Sequence, residues 1–217
     1  MLCGIDEAGR GPIIGPMVIA AVCVDNDLQL VRLNVNDSKK LSPSRRLKLA
    51  EAIRQISIVR IIIVNEDEID SAVERHQLNG LEAAKFSELI NELRPRNAFI
   101  DAADANPERF KHLICNNLAC NTNLICEHKA DERYPVVSAA SIIAKAKRDE
   151  LVKTIEMEIG EPIGSGYASD PATRTFLMKW VQEKKELPPH VRRSWITSKN
   201  ILFQLRNSKI DMWADKP

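Results

Sequence analysis

The chain has 217 residues, with 31 Lys plus Arg against 30 Asp plus Glu, so its overall charge does not point to a nucleic-acid partner and any such signal must lie in where the charges sit. Its length suits one large domain, or a domain with a small appendage. The 5 cysteines are odd in number and form no Cys-x-x-Cys pair, no secretory leader pattern precedes the first apolar run, and no apolar run approaches the roughly 20 residues of a membrane span. A cytoplasmic protein without a membrane partner is expected.

In chain order, apolar runs predict strands at Leu2 to Ala8 and Met17 to Val24, with a weaker third candidate at Gln29 to Val35. Ser42-Pro43 opens a helix through Gln55, with Ser as cap and Pro in the first turn. Ser57 to Val64, rich in Ile and Val, predicts a buried strand, and the acidic run Glu66 to Asp70 a helix start. Helical spacing of Leu78, Leu81, Ala84, Leu89, Ile90 and Leu93 ends at Pro95. A short strand at Ala98 to Ala102, a helix opened by Asn106-Pro107 and a strand at Asn123 to Cys126 follow. A long helix over Val137 to Ile159 and two more over Pro171 to Lys184 and Ser194 to Leu205 complete the pattern. Early hairpin strands followed by alternating helix and strand predict an α/β fold: a mixed central sheet with helices on both faces and a small helical C-terminal region. The expected division is a catalytic domain over 1–185 and a helical extension over 186–217.

Three strand ends carry acids: Asp6 and Glu7, Asp101, and Asp131 just after the Leu124 to Cys126 strand. Singly, each reads equally as a loop or cap residue. Together they suit Mg²⁺, which binds through a few carboxylates plus substrate phosphate, and two such ions can drive an in-line phosphoryl displacement. Neighbouring strand residues face opposite ways, so Asp6 is expected as the bridging ligand and Glu7 in a second-ion or ribose-side role. Cys115, Cys120, Cys126, His112 and His128 have spacings that match no common zinc pattern.

Six segments carry a specific resemblance. They are Ile5-Asp6-Glu7-Ala8-Gly9-Arg10-Gly11-Pro12, Asp37-Ser38-Lys39-Lys40-Leu41, Ile100-Asp101-Ala102, His128-Lys129-Ala130-Asp131, Val137 to Lys145, and Gly164-Ser165-Gly166-Tyr167-Ala168-Ser169-Asp170-Pro171. In this order and over residues 1 to about 180 they resemble ribonuclease HII, archaeal members most. The resemblance implies a ribonuclease H-like fold, dependence on Mg²⁺ or Mn²⁺ with two ions in the active complex, and hydrolysis of the RNA strand of RNA:DNA hybrids. It also implies incision 5' to a single ribonucleotide in duplex DNA, leaving a 3'-hydroxyl and a 5'-phosphate.

Carried over residue by residue, it implies that Asp6, Glu7, Asp101 and Asp131 are the catalytic and metal-binding carboxylates. Gly9, Arg10 and Gly11 fall on the motif that senses the ribose 2'-hydroxyl, and Tyr167 on the tyrosine that stacks at the ribonucleotide. Glycines permit the close backbone approach such a nest needs, while Arg10 reads equally as an ion-pair partner. Lys39 and Lys40 are candidate phosphate contacts or a solvated loop, and Ser138 and Ser141 are helix caps or phosphate contacts. Arg192, Arg193, Lys199, Arg206 and Lys209, interleaved with Trp195 and Phe203, read as the polar face of a helix or as a DNA-tracking one. Gln204 to Pro217 lacks the spacing of a clamp-binding peptide, so a sliding-clamp partner is not supported, and a monomer is expected. The catalytic motif at residue 5 disfavours the ribonuclease HIII class, which typically carries a further N-terminal domain. An idle hybrid-binding module and a DNA-cutting nuclease of the same fold are the competing readings.

Overall fold

The structure, a computed structural model, describes residues 1–35 and 41–214, with side chains described through 205. Lys39 and Lys40, together with Ser38, lie outside the described residues, as do the side chains of Arg206 and Lys209.

Five strands form one mixed sheet: β1 (Leu2–Ala8), β2 (Met17–Val24), β3 (Ile58–Val64), β4 (Asn97–Asp101) and β5 (Asn123–Glu127), in the spatial order β3-β2-β1-β4-β5. β1, β2 and β3 form an antiparallel meander, whereas β4 and β5 continue from β1 in parallel. The C-terminal ends of β1, β4 and β5 therefore share one edge of the sheet, the edge at which open α/β sheets place ligands.

The expected strand at Gln29 to Val35 is instead a short helix, α1 (Leu28–Arg32), which buries Leu30. β2 is flanked by β1 and β3, so neither of its edges is open to a strand from the segment that follows it. β3 is also less buried than its Ile-rich sequence suggests, because it is an edge strand, with Ile58 46% and Ile63 45% exposed.

The remaining helices are α2 (Pro43–Ile56), α3 (Glu66–Glu74), α4 (Leu78–Leu93), α5 (Pro107–Cys115), α6 (Ala130–Arg133), α7 (Pro135–Ile159), α8 (Pro171–Lys184) and α9 (Ile196–Ala214). Their starts follow the expected chemistry. Ser42, Asn65 and Asn106 each accept a backbone N–H three residues on, and Pro occupies the first turn of α2, α5, α7 and α8.

Period-two alternation divides the sheet between two layers. Cys3, Ile5, Ala98 and Ile100 pack with Phe86, Leu89, Ile90, Phe110 and Ile114 of α4 and α5. Ala8, Val18, Ala20 and Val22 pack on the other face with α2 and the apolar N-terminal half of α7. Gly4 permits the close approach of α7: a Cβ there would lie 2.2 Å from the Val136 carbonyl carbon. A third cluster joins Ile13 and Ile14 to Val152 and Ile155 of α7, to Phe176 and Leu177 of α8, and to Leu187 and Val191. Residues on both sides of position 185 thus share one apolar cluster.

Candidate active site

Parallel pairing of β1 and β4 sets Ile5 opposite Ile100, so the next residues are Asp6, two before the end of β1, and Asp101, the last of β4. Asp101 has the parity of Phe99 and Asp6 that of Ala8, both of which belong to the α7-side layer, so the two acids lie on one face. β5 then leads through Lys129, held in the left-handed region at φ 58°, into α6, which carries Asp131. The Asp101 Oδ1 accepts the N–H of Ala130 at 3.3 Å, fixing this corner to the end of β4. As a result, carboxylate oxygens of Asp6, Asp101 and Asp131 lie within 4.8 Å of one another, with Asp6 and Asp131 each only 6% exposed.

Burial pushes the Asp6 carboxyl well above its ordinary 3.8, and the charges of Glu7 and Asp101 add to the rise, while a hydrogen bond from Ser141 and the charge of Lys145 oppose it. Lys145 Nζ donates to Ser141 Oγ at 2.7 Å, so one face of α7 supports Asp6 through an i, i+4 pair. Asp6 also accepts the N–H of Glu7 at 2.7 Å.

Glu7 has the opposite parity and does not join the three-carboxylate group. Burial raises its carboxyl above the ordinary 4.5; Arg10 opposes that rise and Asp101 adds to it. Its Oε2 is buried without a hydrogen-bond partner. Three converging carboxylates and a buried, unmatched oxygen fit a divalent cation, since buried carboxylates are costly unless paired, hydrogen-bonded or bound to a metal.

The Gly9-Arg10-Gly11 turn follows β1 directly. Gly9 has φ +86°, and the space its Cβ would take is filled by Arg148, whose Cδ would lie 2.5 Å away. Arg10 pairs with the buried Glu82 of α4 and donates from Nη2 to Asn79 Oδ1 at 2.7 Å. The ion-pair reading of Arg10 therefore holds in this structure. Gly11 faces outward, and a Cβ built on it would lie 3.8 Å from the Tyr167 ring.

Tyr167, 40% exposed, follows Gly164 and Gly166, both at positive φ. The Arg148 guanidinium lies 5.3 Å from its ring centre and also donates to the Ser165 carbonyl at 3.1 Å, holding the loop against the turn.

Two sequence readings require correction. Ser138 is fully buried and its hydroxyl donates to the Val35 carbonyl, so it neither faces a phosphate nor caps α7. Arg192 does not lie on a polar helix face either. It precedes α9, is fully buried, and its guanidinium grips the backbone of the 9–15 loop.

The family model described as Ribonuclease HII matches residues 3–198. The chain belongs to the ribonuclease HII family. A ribonuclease HII from Methanococcus maripaludis is 44% identical over 222 residues, covering 99% of this chain and 92% of that protein. The crystal structure of ribonuclease H2 from Pyrococcus horikoshii superposes with a TM-score of 0.88 at 41% identity, covering 94% of this chain and 98% of that one. A PCNA:RNase HII complex from Archaeoglobus fulgidus gives a TM-score of 0.86 at 40% identity, covering 93% and 97%. The chain thus has the ribonuclease H-like fold and is a metal-dependent hydrolase of the ribonuclease H kind.

Sequence reasoning singled out the three clustered aspartates but gave no site role to Lys145, Arg148 or Glu82. Ser141 and Lys145 had a readable signal, since residues four apart share a helix face. Glu82 and Arg148 had none beyond sitting on apolar helices.

Proposed function

We propose that the chain hydrolyses the RNA strand of RNA:DNA hybrids and incises duplex DNA 5' to a single embedded ribonucleotide, using two Mg²⁺ or Mn²⁺ ions and leaving a 3'-hydroxyl and a 5'-phosphate. The observation that carries this reading is the convergence within 4.8 Å of Asp6 on β1, Asp101 at the end of β4 and Asp131 on α6, with the Gly9–Gly11 turn following β1 and Tyr167 against Gly11. Divalent cations bound there would supply an activated water and stabilise the leaving oxygen.

Asp6, Asp101 and Asp131 hold the ions, and Glu7, with its unmatched Oε2, completes the set from the other side of β1. Gly9, Arg10 and Gly11 sense the ribose 2'-hydroxyl, the group that distinguishes RNA from DNA. Tyr167 stacks at the sugar of the ribonucleotide. Lys39 and Lys40 contact phosphate, and the segment from residue 186 onward serves the same substrate. The working form is a monomer in a reducing cytoplasm, in keeping with free cysteines at 3, 23, 115, 120 and 126. Among the described residues no helix is long and apolar enough to cross a membrane.

The test is a time course on three duplexes: an RNA:DNA hybrid, DNA with one ribonucleotide, and all-DNA. Cutting of the first two alone is expected. Equal cutting of all-DNA would favour a general DNA nuclease. Tight binding with no nicking across divalent metals would favour an idle binding module.

A further inference from the structure

Arg192 is fully buried and the hydrogen bonds of its guanidinium all run to one loop. Nε donates to the Gly15 carbonyl at 3.0 Å, Nη1 to Arg10 at 2.7 Å, and Nη2 to Gly15 at 2.8 Å and to Gly9. Among the described residues no carboxylate pairs with it; Glu66 and Asp70 act on it only through space. Burial brings its pKa down to about 10, which still leaves a cation at neutral pH. A buried charge satisfied by neutral carbonyls is costly, and this one is spent on a single turn of backbone. Trp195 completes the grip: its Nε1 donates to the Gly11 carbonyl at 3.1 Å, and its ring lies 4.8 Å from the Arg192 guanidinium.

Peptide planarity gives this grip a direction. The chain has no cis peptide bond among the described residues, and in a trans peptide the carbonyl and the following N–H point opposite ways. Fixing the Gly9 and Arg10 carbonyls on Arg192 therefore turns the N–H groups of Arg10 and Gly11 away from it. The third carbonyl, that of Gly11, precedes Pro12, which has no N–H to aim. Tyr167 adjoins Gly11, and Arg148 fills the space beside Gly9.

We propose that Arg192, assisted by Trp195, is a positioning residue that aims the Arg10 and Gly11 amides at the ribose and so sets ribonucleotide selectivity from the C-terminal segment. This rests on the reading that the Gly9–Gly11 turn senses the 2'-hydroxyl. Neither side chain touches substrate in this account; both act through the backbone they hold.

The experiment measures binding by fluorescence anisotropy in Ca²⁺, using one duplex with a single ribonucleotide and its all-DNA counterpart. Arg192→Lys keeps the charge but loses the fork; Trp195→Phe keeps a ring but loses the donor. The preference for the ribonucleotide duplex is expected to fall about 10-fold in Arg192→Lys and about 3-fold in Trp195→Phe, as lost hydrogen bonds predict. Mn²⁺ affinity by calorimetry should stay within about twofold, because neither residue belongs to the carboxylate group. A preference unchanged in folded variants, or a loss of Mn²⁺ affinity equal to the loss of preference, would overturn the proposal. Should Arg192→Lys fail to fold, Trp195→Phe decides alone by the same criterion. A wild-type protein with no preference would remove the ribose-sensing reading, and the proposal with it; a preferring wild type matched by its variants removes the proposal only.

Discussion

Lys145 donates to Ser141 at 2.7 Å across one turn of α7, and the two together oppose the rise of the Asp6 carboxyl's pKa. Partners of this kind orient a metal ligand without touching the metal, and removing one typically weakens binding about 10–100-fold. Ser141→Ala should therefore lower Mn²⁺ affinity about 10-fold by titration calorimetry, and Lys145→Met should lower it less. Affinity within twofold of wild type in Ser141→Ala would remove the supporting role.

The raised Asp6 pKa makes a statement about stability. Folded Asp6 holds a proton that the unfolded chain has already released above 3.8, so the metal-free fold loses stability as pH rises from 3.8 through the raised folded value. Asp6→Asn removes that cost. Its metal-free form should gain about 1 kcal/mol, or ~2–4 °C, at neutral pH, and should lose the Mn²⁺-induced rise in melting temperature. Scanning calorimetry with and without Mn²⁺ checks both; a destabilised metal-free variant would contradict the electrostatic account.

Gly4 marks where α7 meets β1. Gly4→Ala would drive a Cβ to 2.2 Å from the Val136 carbonyl carbon and 2.4 Å from the Val137 nitrogen, backbone atoms that cannot swing aside. A loss of about 3 kcal/mol in urea unfolding is expected. A loss below about 1 kcal/mol would show that α7 can move off the sheet at little cost.

Tyr167 offers a cleaner separation of recognition from folding. Its ring is 40% exposed, so Tyr167→Ala should cost under about 1 kcal/mol of stability. Incision at a single ribonucleotide should fall about 10-fold, since base or sugar stacking on an aromatic ring is worth ~1–3 kcal/mol. Unchanged selectivity in that variant would refute the stacking role.

The acidic site was legible because its signals are local. Asp6 lies near the end and Asp101 at the end of strands that periodicity identifies, and Asp131 follows one within a few residues, so topology alone brings them together. The boundaries of β1, β2 and α4 match the apolar pattern for the same reason. The segment 29–35 was misread because its apolar residues suit a strand, while the place beside β2 is taken by β3, which comes later in the chain. Arg192 was misread more deeply. It stands in a basic stretch whose default is the surface, and its acceptors are backbone carbonyls up to 183 residues away, which leave no trace in side-chain identity. Trp195, three residues on, was the one nearby hint, since a half-buried indole N–H needs an acceptor.

The account is tested most directly by mapping the nick in a 5'-end-labelled duplex that carries one ribonucleotide. With Mg²⁺ or Mn²⁺ the predicted product ends in a 3'-hydroxyl on the deoxynucleotide just 5' of the ribonucleotide, and it disappears with chelator and in folded Asp101→Asn. A nick at the same rate in all-DNA duplex, or full activity in Asp101→Asn, would contradict it.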